Sequence, residues 1–218
     1  MKISLIEESD NSIKYFTDFL YHLRFMKSLY NDISEYFSSE EEIQNLSDFY
    51  KLNDISSLIT ICHLDLITNS KNLYLVKSDW EKIFFIKNTY LVIYETINSY
   101  HKHGKFLYLK SQKNKELSEE YLRTNDYLKQ FKNKYKYSTH INKIRNSISG
   151  HIGENFEEYY DEIMNFDAEK TSLMTIDFFI IIEKTHNLLT EMMKNVKLDI
   201  TKIPEEKLQE IQKKLKQI

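Results

Sequence analysis

Apolar residues recur every three or four positions over most of the chain, a period that predicts amphipathic helices and not strands. From about 10 to 37 the run Ile13, Phe16, Leu20, Leu23, Met26, Leu29 (or Tyr30), Ile33 and Phe37 reads as one long helix. Ser39 and Glu42 have capping-box spacing and open a shorter helix to about 51. A third covers about 54–68, with Ile55, Leu58, Ile59, Cys62 and Leu66 inward. Ser78-Asp79-Trp80-Glu81 repeats the cap pattern before Ile83, Phe84, Ile86, Tyr90, Leu91, Ile93, Tyr94 and Ile97, and Gly104 reads as the stop.

Residues 110–120 are polar and rich in Lys and Glu, a loop or a solvated helix end, and 117–135 is helical again. Ser138 or Thr139 is placed to cap a segment from 140 to 152, with a break expected near Gly153 and Asn155. A turn-rich helix covers 156–166. Asp167 caps the last long helix, about 169–196, with Leu173, Ile176, Phe179, Ile180, Glu183, Leu188 and Met192 on its period. Pro204 stands at a first helical position and starts a charged tail helix. The pattern predicts an all-α multi-helix bundle of about seven helices. It forms a single helical domain over 1–218, with 204–218 as an appended C-terminal helix.

Composition narrows the function classes. Glycine occurs three times, at 104, 150 and 153, and fits neither a Rossmann nor a P-loop spacing. Proline occurs once, and with three glycines that is too few turn-formers for a sandwich or barrel. The net charge of −3 does not advertise a nucleic-acid binder, nor does it exclude a local basic patch. Only Arg24, Arg123 and Arg145 are arginine against 27 lysines, so arginine is the informative cation. The single Cys62 rules out an internal disulfide framework and suits a reducing compartment. The N-terminus has no apolar leader-like run, and the longest apolar stretch, Phe178–Ile182, is too short to span a bilayer. The expectation is a cytoplasmic protein with no membrane partner.

One segment carries candidate chemistry, His140-Ile-Asn-Lys-Ile-Arg-Asn-Ser-Ile-Ser-Gly-His151. On a helix, Ile141, Ile144, Ile148 and Ile152 fall within about 80° and form a narrow stripe. Arg145 and His151 then flank it, each about 60° from Ile148. RNA carries its own nucleophile, the ribose 2′-hydroxyl. Cutting it needs a group that titrates near neutrality, which His supplies, and a cation on the phosphate oxygens, which Arg supplies bidentately. Asn146 can orient the Arg or a phosphate.

This segment resembles the signature of the HEPN superfamily, an Arg, four to six residues and a His, with a polar residue after the Arg. The match covers these twelve residues and the bundle architecture. The resemblance implies a homodimer whose two Arg/His pairs share one cleft. It also implies a metal-independent endoribonuclease, a toxin or abortive-infection defence effector with Arg145, His151 and Asn146 as its catalytic residues, RNA as its partner and an antitoxin protein as a second. No cofactor and no metal are implied. A subgroup that is modified by its antitoxin carries Tyr two residues after the His; here that position is Gly153, which speaks against that mode of neutralisation. The competing expectation is a non-catalytic helical RNA-binding or protein-interaction module.

The lysines just before and within the motif, Lys132, Lys134, Lys136 and Lys143, are the candidate RNA-binding residues, because a local basic run attracts a phosphate backbone. Glu95, a lone acid in an apolar helix, is expected to pair with Arg145 if those helices pack together. His101 and His103 have no carboxylate or Cys at ligand spacing, and His63 and Asp65 do not face each other on one helix.

Overall fold

The computed structural model describes residues 2–146 and 156–215. Among these the chain is all-α with no strand, and eight α-helices succeed one another. They are α1 (Lys2–Ile33), α2 (Glu40–Leu75), α3 (Asp79–Ser111), α4 (Lys115–Lys134), α5 (Asn142–Ile144), α6 (Phe156–Met164), α7 (Ala168–Lys194) and α8 (Glu205–Leu215). A π-helical turn, Tyr137–Ile141, leads into α5. No helix among the described residues is long and apolar enough to cross a membrane.

The caps expected at Ser39, Ser78 and Asp167 are in place. Ser39 Oγ accepts from the Glu42 N–H, and Glu42 Oε2 accepts from the Ser39 N–H, a complete capping box. Ser78 accepts from the Glu81 N–H, and Asp167 from the N–H groups of Glu169 and Lys170.

The two helices expected at 39–51 and 54–68 are one continuous helix, α2. Asn53 and Asp54 look like a boundary, yet both are spent on α1. Asn53 Nδ2 donates to the Leu23 carbonyl at 2.9 Å, and Asp54 takes Lys27 Nζ at 2.6 Å. Gly104 is likewise no stop; α3 runs seven residues past it to Ser111. Beyond the glycine, Leu107 is fully buried and Lys110 pairs with the buried Asp48 of α2, so tertiary contacts hold the last turns in place. A Cβ at Gly104 meets nothing within 4 Å. Gly104→Ala is therefore expected to raise the unfolding free energy by about 0.5–1 kcal/mol, measured by urea titration, because it removes backbone freedom from the unfolded chain at no steric cost.

α2 lies at the centre, packed by α1, α3 and α7, while α4 packs on α7 and α3. Leu66, Ile93, Phe178 and Leu188 meet in the main core. A second small core forms where α8 and Ile203 close over Leu29, Ile33 and Phe37 at the end of α1. On α7 the register differs from the expected one. Leu173, Ile176 and Ile180 face solvent, Glu183 is exposed and Phe179 only half-buried, while Met174, Phe178, Ile181 and Ile182 are buried with the expected Leu188 and Met192. Leu58, also expected inward, is exposed.

Candidate functional site

The segment that carries the Arg leaves α4 through a sharp turn. Tyr135 ends the helix and Lys136 adopts φ 49°, ψ 52°, in the left-handed region. Its carbonyl accepts from both the Thr139 and the His140 N–H groups, at 3.1 and 2.7 Å. Neither Ser138 nor Thr139 caps the next segment, because the turn closes on the Lys136 carbonyl and the π-helical turn begins directly after it. The chain then lies along α3. Ile141 and Ile144 are fully buried, as the stripe requires, and Arg145 is half-buried at its edge.

Arg145 is held from three sides. Its Nε and Nη2 donate to Glu95 Oε1 at 3.1 and 2.9 Å, its Nη1 donates to Asn146 Oδ1 at 3.0 Å, and its guanidinium lies 5.3 Å over the Tyr94 ring. Asn146 is fixed in turn, donating to Asn142 Oδ1 at 3.0 Å. The expected Glu95–Arg145 pair is present, and Glu95 keeps 48% of its side-chain surface, so the pair sits at an open surface. Five N–H groups belong to a guanidinium. Three are engaged by the described residues, which leave one on each terminal nitrogen for an incoming oxyanion.

Around this pair stand Tyr137, which sequence reasoning does not single out, and Lys132 and His101, which it does. Tyr137 stacks on Tyr94 with ring centroids 5.5 Å apart, and its hydroxyl donates to Asn98 Oδ1 at 3.1 Å. Burial pushes the Tyr137 hydroxyl up to about 12. Lys132 Nζ lies 5.0 Å over the Tyr137 ring and 3.3 Å from His101 Nε2. Burial first, and then the Lys132 charge, hold the His101 imidazole below its usual range. The only hint in the sequence is the placement of Glu95 and Asn98 as polar breaks in the apolar run of α3.

His151 lies outside the described residues, as do Ile148, Ile152, Gly150 and Gly153. The four lysines do not gather. Lys134 is taken by Asp177 at 2.6 Å and Lys143 pairs with Glu162, whereas Lys132 lies over the Tyr137 ring and Lys136 lines a cleft with Lys134. No three His, Cys, Asp or Glu side chains among the described residues gather at metal-binding distance. His101 and His103 stand on α3 without such company. No family model, curated protein or solved structure matches the chain.

Proposed function

We propose that the chain is a metal-independent endoribonuclease of the HEPN type, acting as a homodimer in a toxin or defence role. The observation that carries this reading is Arg145: a guanidinium braced by Glu95, Asn146 and Tyr94, half-exposed, with two N–H groups that no described residue takes up and that can grip a phosphate. In this reading the 2′-oxygen of the ribose forms a bond to phosphorus and the bond from phosphorus to the 5′-oxygen breaks. His151 takes the hydroxyl proton, the leaving oxygen acquires one, and Arg145 offsets the charge that builds on the phosphate. The products are a 2′,3′-cyclic phosphate end and a 5′-hydroxyl. Lys132, with no carboxylate partner among the described residues, extends the cation toward a passing strand.

The test is total RNA incubated with purified protein, with and without EDTA. Cleavage is expected to persist in EDTA, since the nucleophile is the RNA's own hydroxyl. Arg145→Ala and His151→Ala are each expected to lower the rate about 100-fold or more with the melting temperature unchanged. Equal cutting by wild type and both variants overturns the assignment.

A second reading, a non-catalytic RNA-binding module, draws on the same guanidinium, because Glu95 already neutralises it. RNA retained on the protein but never cut, and released by Arg145→Ala, selects that reading.

A further inference from the structure

Beside the Lys136 turn, α3, α4 and α7 enclose a half-open cleft of about 410 Å³. This lies within the range of small-molecule sites, about 300–1,000 Å³. Its walls are mainly apolar: Tyr90, Tyr135, Leu173 and Met174. Tyr90 is itself fixed, stacked on Phe166 and edge-on to His140, so one aromatic wall is rigid. Leu173 is one of the α7 residues that face solvent, 54% exposed, and it lines the cleft.

The charges of the cleft nearly cancel, and the residue left over is informative. Asp177 Oδ2 accepts from Lys134 Nζ at 2.6 Å and from the Tyr135 hydroxyl at 2.7 Å. Lys170 lies 3.4 Å from Asp167. Lys136, at the mouth, has no carboxylate partner among the described residues, which makes the site cationic by one charge. Lys136 is also the one non-glycine residue with positive φ among the described residues. Asparagine tolerates that conformation better than lysine, and the chain holds 17 of them. A lysine at this position places a long cationic side chain at the cleft at the cost of backbone strain.

We propose that this cleft binds a small aromatic molecule with one anionic group, with its ring against Tyr90, Leu173 and Met174 and its carboxylate or phosphate on Lys136, supported by Lys170. The shared chemistry is a flat apolar body with one anionic group, supplied by a free aryl acid or by a nucleotide. Such binding is independent of RNA cleavage and is read by binding alone.

Isothermal titration of the full chain uses four probes in two matched pairs: 2-naphthoate with 2-naphthalenemethanol, and adenosine 5′-monophosphate with adenosine. At least one anion is expected to bind with a Kd of about 1 mM or tighter, and its neutral counterpart about tenfold more weakly. A preference for naphthoate identifies an organic acid as the source, and a preference for the monophosphate identifies a nucleotide. Lys136→Gly removes the charge and relieves the left-handed backbone, so it is expected to weaken binding about tenfold or more while the melting temperature holds or rises. Lys14→Ala, on the exposed face of α1, is expected to leave the Kd unchanged. The proposal is overturned if no probe binds at that level, if a neutral probe binds as tightly as its anion, or if Lys136→Gly and Lys170→Ala both leave the Kd as it was.

Discussion

Lowering the pH from 7 to 4 is expected to remove several kcal/mol of stability, and most of that loss should trace to His63 and His186. Their rings lie 5.9 Å apart where α1, α2 and α7 meet, against Phe16, Phe19 and Phe179. His63 Nδ1 and both ring nitrogens of His186 are buried with no hydrogen-bond partner. Burial pulls each imidazole down from 6.5 to about 4, and for His63 the neighbouring His186 adds to the shift. Above pH 6.5 both histidines are neutral in the folded and the unfolded chain, so they contribute no pH dependence. Between 6.5 and 4 the unfolded chain takes up protons that the folded chain refuses, and stability falls with pH by up to about 3 kcal/mol for each imidazole.

Urea titrations at pH 7.5 and 4.5 measure the difference. His186→Leu is expected to be at least as stable as the wild type at pH 7.5, since it replaces two unpartnered nitrogens by carbon. It should also lose markedly less stability at pH 4.5. Amides of the first half of α1, which reaches α7 through Phe16 and Phe19, are expected to lose protection first. Equal acid losses in wild type and in the His63→Leu, His186→Leu double variant would falsify the attribution.

The fold class is legible because 3.6-residue periodicity runs through the chain almost without glycine or proline. The caps at Ser39, Ser78 and Asp167 are legible for the same local reason: a short acceptor side chain next to orphan N–H groups acts within four residues. Pattern and structure part where a distant contact outweighs a local signal. Asn53 and Asp54 look like a helix break until α1 claims both. Gly104 looks like a stop until Lys110 and Asp48 hold the helix beyond it. At the candidate site, Glu95 and Arg145 are recognisable as opposite charges on apolar helices. The Tyr94–Tyr137 stack is not, because the π-helical turn that brings Tyr137 onto α3 starts from a left-handed lysine that no propensity foretells.

The α7 register has a more specific cause. Its buried face contains Thr171, Thr175 and Thr185, which look polar in a pattern of apolar positions. Each hydroxyl donates to the carbonyl four residues earlier, Asp167, Thr171 and Ile181 respectively, at 2.7–2.9 Å. The threonines thereby hide their polar atoms and present methyl groups to the core. The competing stripe of Leu173, Ile176 and Ile180 is wholly apolar and looks like the better core face, yet it lies in solvent.

Replacing Phe178 by alanine is accordingly expected to cost about 3–5 kcal/mol, since it is among the largest fully buried side chains of the described residues. Phe178 is 1% exposed, and its ring packs 5.0 Å from that of Phe131 where α7 meets α4. Removing it leaves a cavity between two long helices that cannot close over it, so the lost transfer energy and the cavity penalty add. Ile176→Ala, on the opposite side of the same helix and 57% exposed, is expected to change stability by no more than about 0.5 kcal/mol. Denaturant midpoints of the two variants, taken at constant slope, decide between the two faces of α7. A large loss in Ile176→Ala with a small one in Phe178→Ala would place the core on the wrong side of the helix and with it the cleft lined by Leu173 and Met174.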